Sequence, residues 1–251
     1  MRVMTWNILV GGQDRLGAIL DVVRRERPDV LALQELKGWS AKRVGEVAGE
    51  LGMTAHLAPS VFGQPVAVLA RTALTRTRSI TWRLHHAAAV ATVGDLTVVS
   101  THLNPFSPER RRREATWLAA CFFRTRRKVL IAGDLNSLDP GTDHAEALAV
   151  IDQRYQRRHL TPAGTADTRA IRALLDAGFV DVGRGIGATV PTARYREREF
   201  GEFRLDYLMA SPPLARLTRY VSVRRDEVTD RASDHYPVVA SFSDETEQPA
   251  G

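Results

Sequence analysis

The sequence predicts an α+β fold in which two β-sheets pack together under outer helices. Two observations carry this expectation. Short β-branched and apolar runs alternate with stretches of helical periodicity, and a block of consecutive strand-like runs interrupts the alternation between residues 55 and 101. No internal repeat or linker-like stretch divides the 251 residues, so residues 1–243 are expected to form one domain, with a polar tail at 244–251.

The elements follow in order. Arg2 to Ile8 is rich in β-branched and aromatic residues and ends at Gly11-Gly12, which marks a strand and its turn. Leu16, Ile19, Leu20 and Val23 recur at helical spacing until Pro28 closes the helix. Val30 to Leu33 is a short apolar strand running into Gln34-Glu35, and Ala41 to Leu51 is a helix stopped by Gly52. Four strands are expected next, at Val66–Ala70, Ser79–Leu84, Ala87–Val93 and Leu96–Thr101, with a Gly94-Asp95 hairpin turn between the last two. Pro108 to Phe123 is a basic helix with Leu118, Ala119, Phe122 and Phe123 on its apolar face. Val129–Ala132 is a buried strand, Ala145–Ile151 and Thr168–Ala177 are helices, and Phe203–Ala210 and Pro237–Phe242 are the last strands.

Composition excludes several classes. A single cysteine, Cys121, makes no internal disulfide, and it is expected to be a small buried hydrophobe. No apolar run approaches the roughly 20 residues of a membrane span, and the first residues lack the layout of a signal peptide, so a cytoplasmic location is expected. The net charge is +6, and of 35 basic residues only Lys37, Lys42 and Lys128 are lysines, leaving 32 arginines. Such a balance points to a polyanion or to compositional bias, and it names no partner.

Polar residues gather at the ends of the expected strands. Asn7 follows the first, Glu35 the second, His102 and Asn104 the sixth, and Asp134 and Asn136 the seventh; Asp206 interrupts another, and Asp234-His235 precede the last. Carboxylates, amides and imidazoles without a thiolate make an oxygen-rich set suited to Mg²⁺, Mn²⁺ or Ca²⁺.

Taken in order, Thr5-Trp6-Asn7-Ile8, Leu33-Gln34-Glu35, Ser100-Thr101-His102-Leu103, Gly133-Asp134-Leu135-Asn136, Leu205-Asp206-Tyr207 and Ser233-Asp234-His235-Tyr236-Pro237-Val238 resemble the words of the endonuclease/exonuclease/phosphatase superfamily, which includes deoxyribonuclease I. The resemblance spans residues 5 to 238. It implies a four-layer α/β/β/α sandwich of two mixed, mainly antiparallel sheets, with the site at one edge, and hydrolysis of a phosphate ester by in-line attack of water with Mg²⁺ or Mn²⁺. By the same resemblance Glu35 is the main metal ligand, with Asn7 and Asp234 beside it, and Asp134 orients or deprotonates the water. Asn136 holds the phosphate, His235 steadies the phosphoryl oxygens, Asp206 orients His235, and His102 lies near the leaving group. Many DNA-cutting relatives carry an acidic residue two positions after the first-strand asparagine, where this chain has Leu9.

Weaker expectations attach to Asn104, Arg112 and Arg113 as phosphate contacts, with one solvated helix face as the alternative for the run Arg110–Arg113. His85-His86 are expected at the surface, Tyr195–Phe200 as an exposed loop, and the four tryptophans as core. The loops 140–165 and 185–202 are where the resemblance places specificity. Nucleic acid leads as substrate, with a small phosphorylated metabolite, sugar or lipid head group as the alternative, and a non-catalytic binder as a third reading. A monomer with no membrane attachment is expected.

Overall fold

Among the described residues, 1–196 and 199–243, the computed structural model contains two six-stranded sheets. In chain order the strands are β1 (Arg2–Asn7), β2 (Val30–Gln34), β3 (Thr54–Ala58), β4 (Val66–Ala70), β5 (Leu74–Ile80), β6 (Ala87–Val93), β7 (Leu96–His102), β8 (Val129–Asp134), β9 (Val180–Asp181), β10 (Asp206–Ala210), β11 (Thr218–Val223) and β12 (Val238–Phe242). One sheet runs β11-β12-β1-β2-β4-β3 and the other β5-β6-β7-β8-β10-β9. The longer helices are α1 (Leu16–Glu26), α2 (Ala41–Glu50), α3 (Pro108–Phe122) and α6 (Arg169–Asp176); α4 (Ala145–Ala149), α5 (Gln153–Gln156), α7 (Pro212–Ala215) and α8 (Thr229–Ala232) are single turns or little more. No described helix is long and apolar enough to cross a membrane.

The period-2 alternation of the central strands builds the layers. Val3, Val30, Ala32, Val98, Leu130 and Ala132 point between the two sheets. Their neighbours Met4, Trp6, Leu31 and Leu33 point the other way, onto α1 and α2. Val99, Val129 and Ile131 point onto α3 and α6. Helix, sheet, sheet and helix follow in that order, which is the expected α/β/β/α sandwich. The inter-sheet layer is rich in alanine and valine, with Ala87, Ala89 and Ala91 all contributed by β6, and small side chains let the sheets approach closely.

Topology gathers the polar strand ends. Each sheet contains one parallel pair among antiparallel ones: β1 beside β2, crossed over by α1, and β7 beside β8, crossed over by α3. Their registers set Asn7 opposite Gln34 and His102 opposite Asp134. Because β10 and β12 run antiparallel to β8 and β1, it is their first residues that reach the same edge, with Asp206 opposite Asp134.

The strands missed altogether, and the one displaced over most of its length, are sheet edges. β3, β9 and β11 were not foreseen as elements, and β5 lies at 74–80 rather than 79–84. Edge strands bury little, and five consecutive residues of β5 are exposed, so the two-sided apolar signal that marks a central strand is missing. The strand expected from Phe203 begins at Asp206, since Phe203 makes only an isolated bridge to Val190. Trp82 is 62% exposed and meets Trp117 edge-on, contrary to a core role. The tail expected at 244–251 lies outside the described residues.

Candidate active site

The sequence words are fastened to one another beneath the site. Trp6 Nε1 donates to the backbone oxygen of His235 at 2.8 Å, and Ser233 Oγ donates to that of Asn7 at 2.7 Å. Gln34, fully buried, reaches Ser100 Oγ at 3.1 Å and so links the two sheets. Gly133 has φ +147°, and a Cβ there would sit 1.9 Å from the carbonyl oxygen of Thr101, so the close β7–β8 approach that positions Asp134 admits only glycine.

Four residues near this edge, Leu9, Val10, Glu35 and Asn136, carry positive φ without being glycine. Val10, β-branched at φ +51°, is the most strained of them. The strain is held by specific bonds: Leu9 N–H donates to Asn7 Oδ1 at 3.0 Å and Val10 N–H to Glu35 Oε2 at 3.0 Å. Strained backbone of this kind concentrates where side chains must be aimed.

Asp134 is the junction of the site. Its Oδ2 lies 3.1 Å from Asn7 Nδ2, 3.4 Å from His102 Nε2 and 3.6 Å from His235 Nε2, while Oδ1 accepts from Asn136 N–H at 2.9 Å. Burial raises its proton affinity, against the opposing pull of His235 and His102. His235 Nδ1 is 2.8 Å from Asp206 Oδ2. Burial opposes the charge on this imidazole most strongly, yet Asp206 and Asp134 together hold its pKa well above the ordinary histidine range. Asp206 is fully buried, and its Oδ1 has no hydrogen-bond partner among the described residues.

Glu35 and Asp234 line the same cleft as Asp134 and His235. Glu35 accepts from Asn7 Nδ2 at 3.1 Å and from Gln64 Nε2 at 3.3 Å. Asp234 is raised to about 6, by burial first and with Glu35 adding like-charge repulsion, against the lowering by His235. Glu35, Asp234 and Asp134 bring three carboxylates to one region, with His235 as the charged group set against them, and so oxygen-rich a set suits a divalent ion. No group of three or more His, Cys, Asp or Glu side chains among the described residues is placed to hold a metal ion. An ion that keeps several waters and binds through one or two carboxylates plus substrate phosphate fits this set, and Mg²⁺ is such an ion. Asn7, expected as a ligand, turns its amide nitrogen to Glu35 and Asp134, bridging two carboxylates, while its oxygen accepts from Leu9 N–H and keeps one lone pair.

A cleft of about 480 Å³ opens over Glu35, His102, Asp134, Asn136, Asp234 and His235. Three expected contacts are not brought to it. Asn104 Oδ1 is engaged by the N–H groups of Phe106 and Ser107 at 2.9 and 2.7 Å, where it shapes the entry to α3. Arg112 and Arg113 pair with Glu109 along the same helix. Arg111, in contrast, is fully buried and ties Asn104 O to Arg158 O, so the arginine run is not one solvated face.

The cleft also recruits residues that the sequence reading passed over. His86 is 4% exposed and lies against His102 with ring centroids 4.4 Å apart, and burial pushes its pKa down to about 2. The His85-His86 doublet was the signal that could have found it. Gln64, Arg158, Glu199 and Phe200 line the walls, the last two in a segment expected as an exposed loop. Residues 197 and 198 of that segment lie outside the described residues.

A model of the Endonuclease/Exonuclease/phosphatase family matches residues 4–235. Among solved structures, an AP endonuclease from Archaeoglobus fulgidus superposes with a TM-score of 0.73 at 21% identity, covering 96% of this chain and 99% of that one. The 3′ phosphatase NExo from Neisseria, bound to product DNA hairpin, superposes at 0.72 with 23% identity, over 97% and 99% of the two chains. The 3′-5′ exonuclease NExo from Neisseria meningitidis gives 0.72 and 23%, over 96% and 99%. A search of curated proteins gave no match.

Proposed function

The chain belongs to the Endonuclease/Exonuclease/phosphatase family, and on that premise we propose that it is a Mg²⁺- or Mn²⁺-dependent phosphoesterase acting on nucleic acid. The observation that carries the reading is the Asp134 junction, one buried carboxylate in contact with two imidazoles and an amide at the floor of an open cleft. Residues 1–243 act in it as one catalytic unit.

Asp134 accepts the proton of the attacking water, and its raised proton affinity makes it a stronger base than an exposed carboxylate. His235, kept protonated by Asp206 and Asp134, donates to a non-bridging phosphoryl oxygen where negative charge grows. Asp206 fixes the orientation of that imidazole. Asn136, anchored by Nδ2 to Leu103 O at 3.1 Å, contacts the phosphate without adding charge. His102, whose Nε2 meets the same Asp134 oxygen at 3.4 Å, serves the leaving oxygen. Glu35 and Asp234 hold the divalent ion, which when bound offsets phosphate charge and stabilises the departing oxygen.

Nucleic acid is favoured over a small metabolite by the fold's likeness to an enzyme of abasic sites and to a phosphatase bound to a DNA hairpin. The test is a panel of single-stranded, duplex and abasic DNA, RNA, nucleotides, sugar phosphates and inositol phosphates, assayed with Mg²⁺ and with Mn²⁺. Cleavage of a nucleic acid that stops with EDTA and returns with either metal is the expected result. Turnover confined to the small molecules would overturn the substrate assignment, and full activity after exhaustive chelation would overturn the metal.

A further inference from the structure

The cleft does not end at its carboxylate and imidazole floor. On the His102 side its wall is a series of rings, with His86 4.4 Å from His102, His85 4.5 Å from His86, and Phe62 stacked on His85 at 4.3 Å and 15°. Phe106 meets His85 edge-on at 5.8 Å. The series grades from buried to open: His102 is 2% exposed, while Phe62 and Phe106 are each 59% exposed. Burial and the neighbouring His102 lower the proton affinity of His85, so its ring is neutral at ordinary pH and offers a π face rather than a charge.

One buried carboxylate holds both halves of this wall. Glu114 accepts from His85 N–H at 2.6 Å and from Asn104 N–H at 2.8 Å, and Asn104 in turn fixes Phe106 N–H. His85 and Phe106 are therefore fixed through their backbone, and Phe62 N–H donates to Ser60 Oγ at 3.3 Å. Behind them lies a second hollow of about 250 Å³, which shares Phe62 and His85 with the cleft and is bordered by Arg83, Arg110 and Arg113, the last also paired with Glu109, and by the buried Glu114. The stacked pair is thus a partition between a candidate phosphoester site and an arginine-lined hollow.

Anion site, aromatic face, anion site is the order of phosphate, base, phosphate along a nucleic acid strand. Aromatic side chains that stack on bases, beside cations that follow the backbone, are the general means of binding single strands. A sugar phosphate or inositol phosphate has no planar ring to place on such a wall. A duplex keeps the faces of its bases stacked on each other, so the base received here is unpaired.

We propose that Phe62, His85 and Phe106 form a stacking platform for an unpaired nucleobase next to the reacting phosphate, with the following phosphate of the strand held by Arg83, Arg110 and Arg113. The inference rests on the phosphoesterase reading for which phosphate reacts, and strand binding itself can be measured without turnover.

The experiment is fluorescence anisotropy in EDTA with a labelled single-stranded oligonucleotide and with the same strand carrying abasic tetrahydrofuran residues. The protein binds the base-bearing strand about 5- to 150-fold more tightly, the range expected for one stacked base. Phe62→Ala abolishes that preference and Phe62→Tyr keeps it. Arg110→Ala weakens both strands alike and lowers the slope of log affinity against log salt by about 0.7. Both substituted side chains are exposed, so the fold is not at stake. Equal affinity for the two strands, no affinity for either, or a preference that survives Phe62→Ala would overturn the platform. Adding Mg²⁺ to the same samples separates the two claims. Base preference in these samples with no hydrolysis here or anywhere in the substrate panel sinks the catalytic reading and upholds the platform, whereas hydrolysis without base preference does the reverse.

Discussion

Asp206→Asn keeps the shape of a fully buried side chain and removes its charge. Three carboxylates support the His235 proton: Asp206, with Oδ2 at 2.8 Å from Nδ1, Asp134, with Oδ2 at 3.6 Å from Nε2, and, as the smallest contribution, Asp234. At equal dielectric attraction scales inversely with distance, so Asp206 outweighs Asp134 by about 1.3 to one before its hydrogen bond is added. Burial, the largest single influence on this ring, opposes its charge. With the nearer carboxylate gone, burial prevails and the imidazole loses its proton at lower pH. The sign is fixed by the raised folded value: the protonated form, and the stability it carries, are fully present below the unfolded pKa and lost only as pH rises through the folded one. The variant therefore loses its activity at lower pH on the alkaline side, and kcat/KM falls by about 10²–10⁴-fold where the parent is most active. Initial rates on a small phosphodiester, taken from acid to alkaline pH for both proteins, measure both effects. A variant whose rates stay within an order of magnitude of the parent, with an unmoved alkaline limb, would refute the role of Asp206.

Gly133→Ala places a Cβ 1.9 Å from Thr101 O and is expected to destabilise by on the order of 4 kcal/mol or to prevent folding. Gly45→Ala, in α2 with nothing within 4 Å of the added carbon, is expected to stabilise by about 0.5–1 kcal/mol, both variants being compared with the parent by urea titration. Glu114 is raised by burial from 4.5 to about 7, so across that window the folded state keeps a proton that the unfolded state releases, and stability falls as pH rises. Unfolding free energies measured at the two ends of the window should differ by about 3 kcal/mol more in the parent than in Glu114→Gln. A parent with no such slope would show that Glu114 is not held in this way.

Much of the site was legible because its residues lie where strands end, and strand ends are marked by an apolar run breaking into polar residues. Glu35, Asp134, Asn136 and His235 each follow or precede such a run, and the two parallel strand pairs bring them to one edge. The words also contain their own supports, Trp6 beneath His235 and Gln34 between the sheets, which explains why the motifs are longer than the reacting groups. Edge strands were poorly legible because they bury little. Arg111 was hidden within a charge run whose other members are solvated or paired, since a run of like residues does not show which one turns inward. Asn104 is engaged for a local reason: an asparagine that accepts from N–H groups two and three residues ahead is a turn former, and spacing along the chain does not separate that use from phosphate contact. The platform at Phe62 and Phe106 comes from separate loops, and only the fold places them together.

The central claim is that the carboxylate and imidazole cluster around Asp134 hydrolyses a phosphate ester. Asp134→Asn tests it most directly, because asparagine fills the same space, still accepts from Asn136 N–H through its oxygen, and takes up no proton from water. Hydrolysis of the best substrate in the panel should fall by about 10²–10⁴-fold in Mg²⁺, with circular dichroism and unfolding midpoint close to those of the parent. Undiminished hydrolysis by a folded Asp134→Asn protein would contradict the claim.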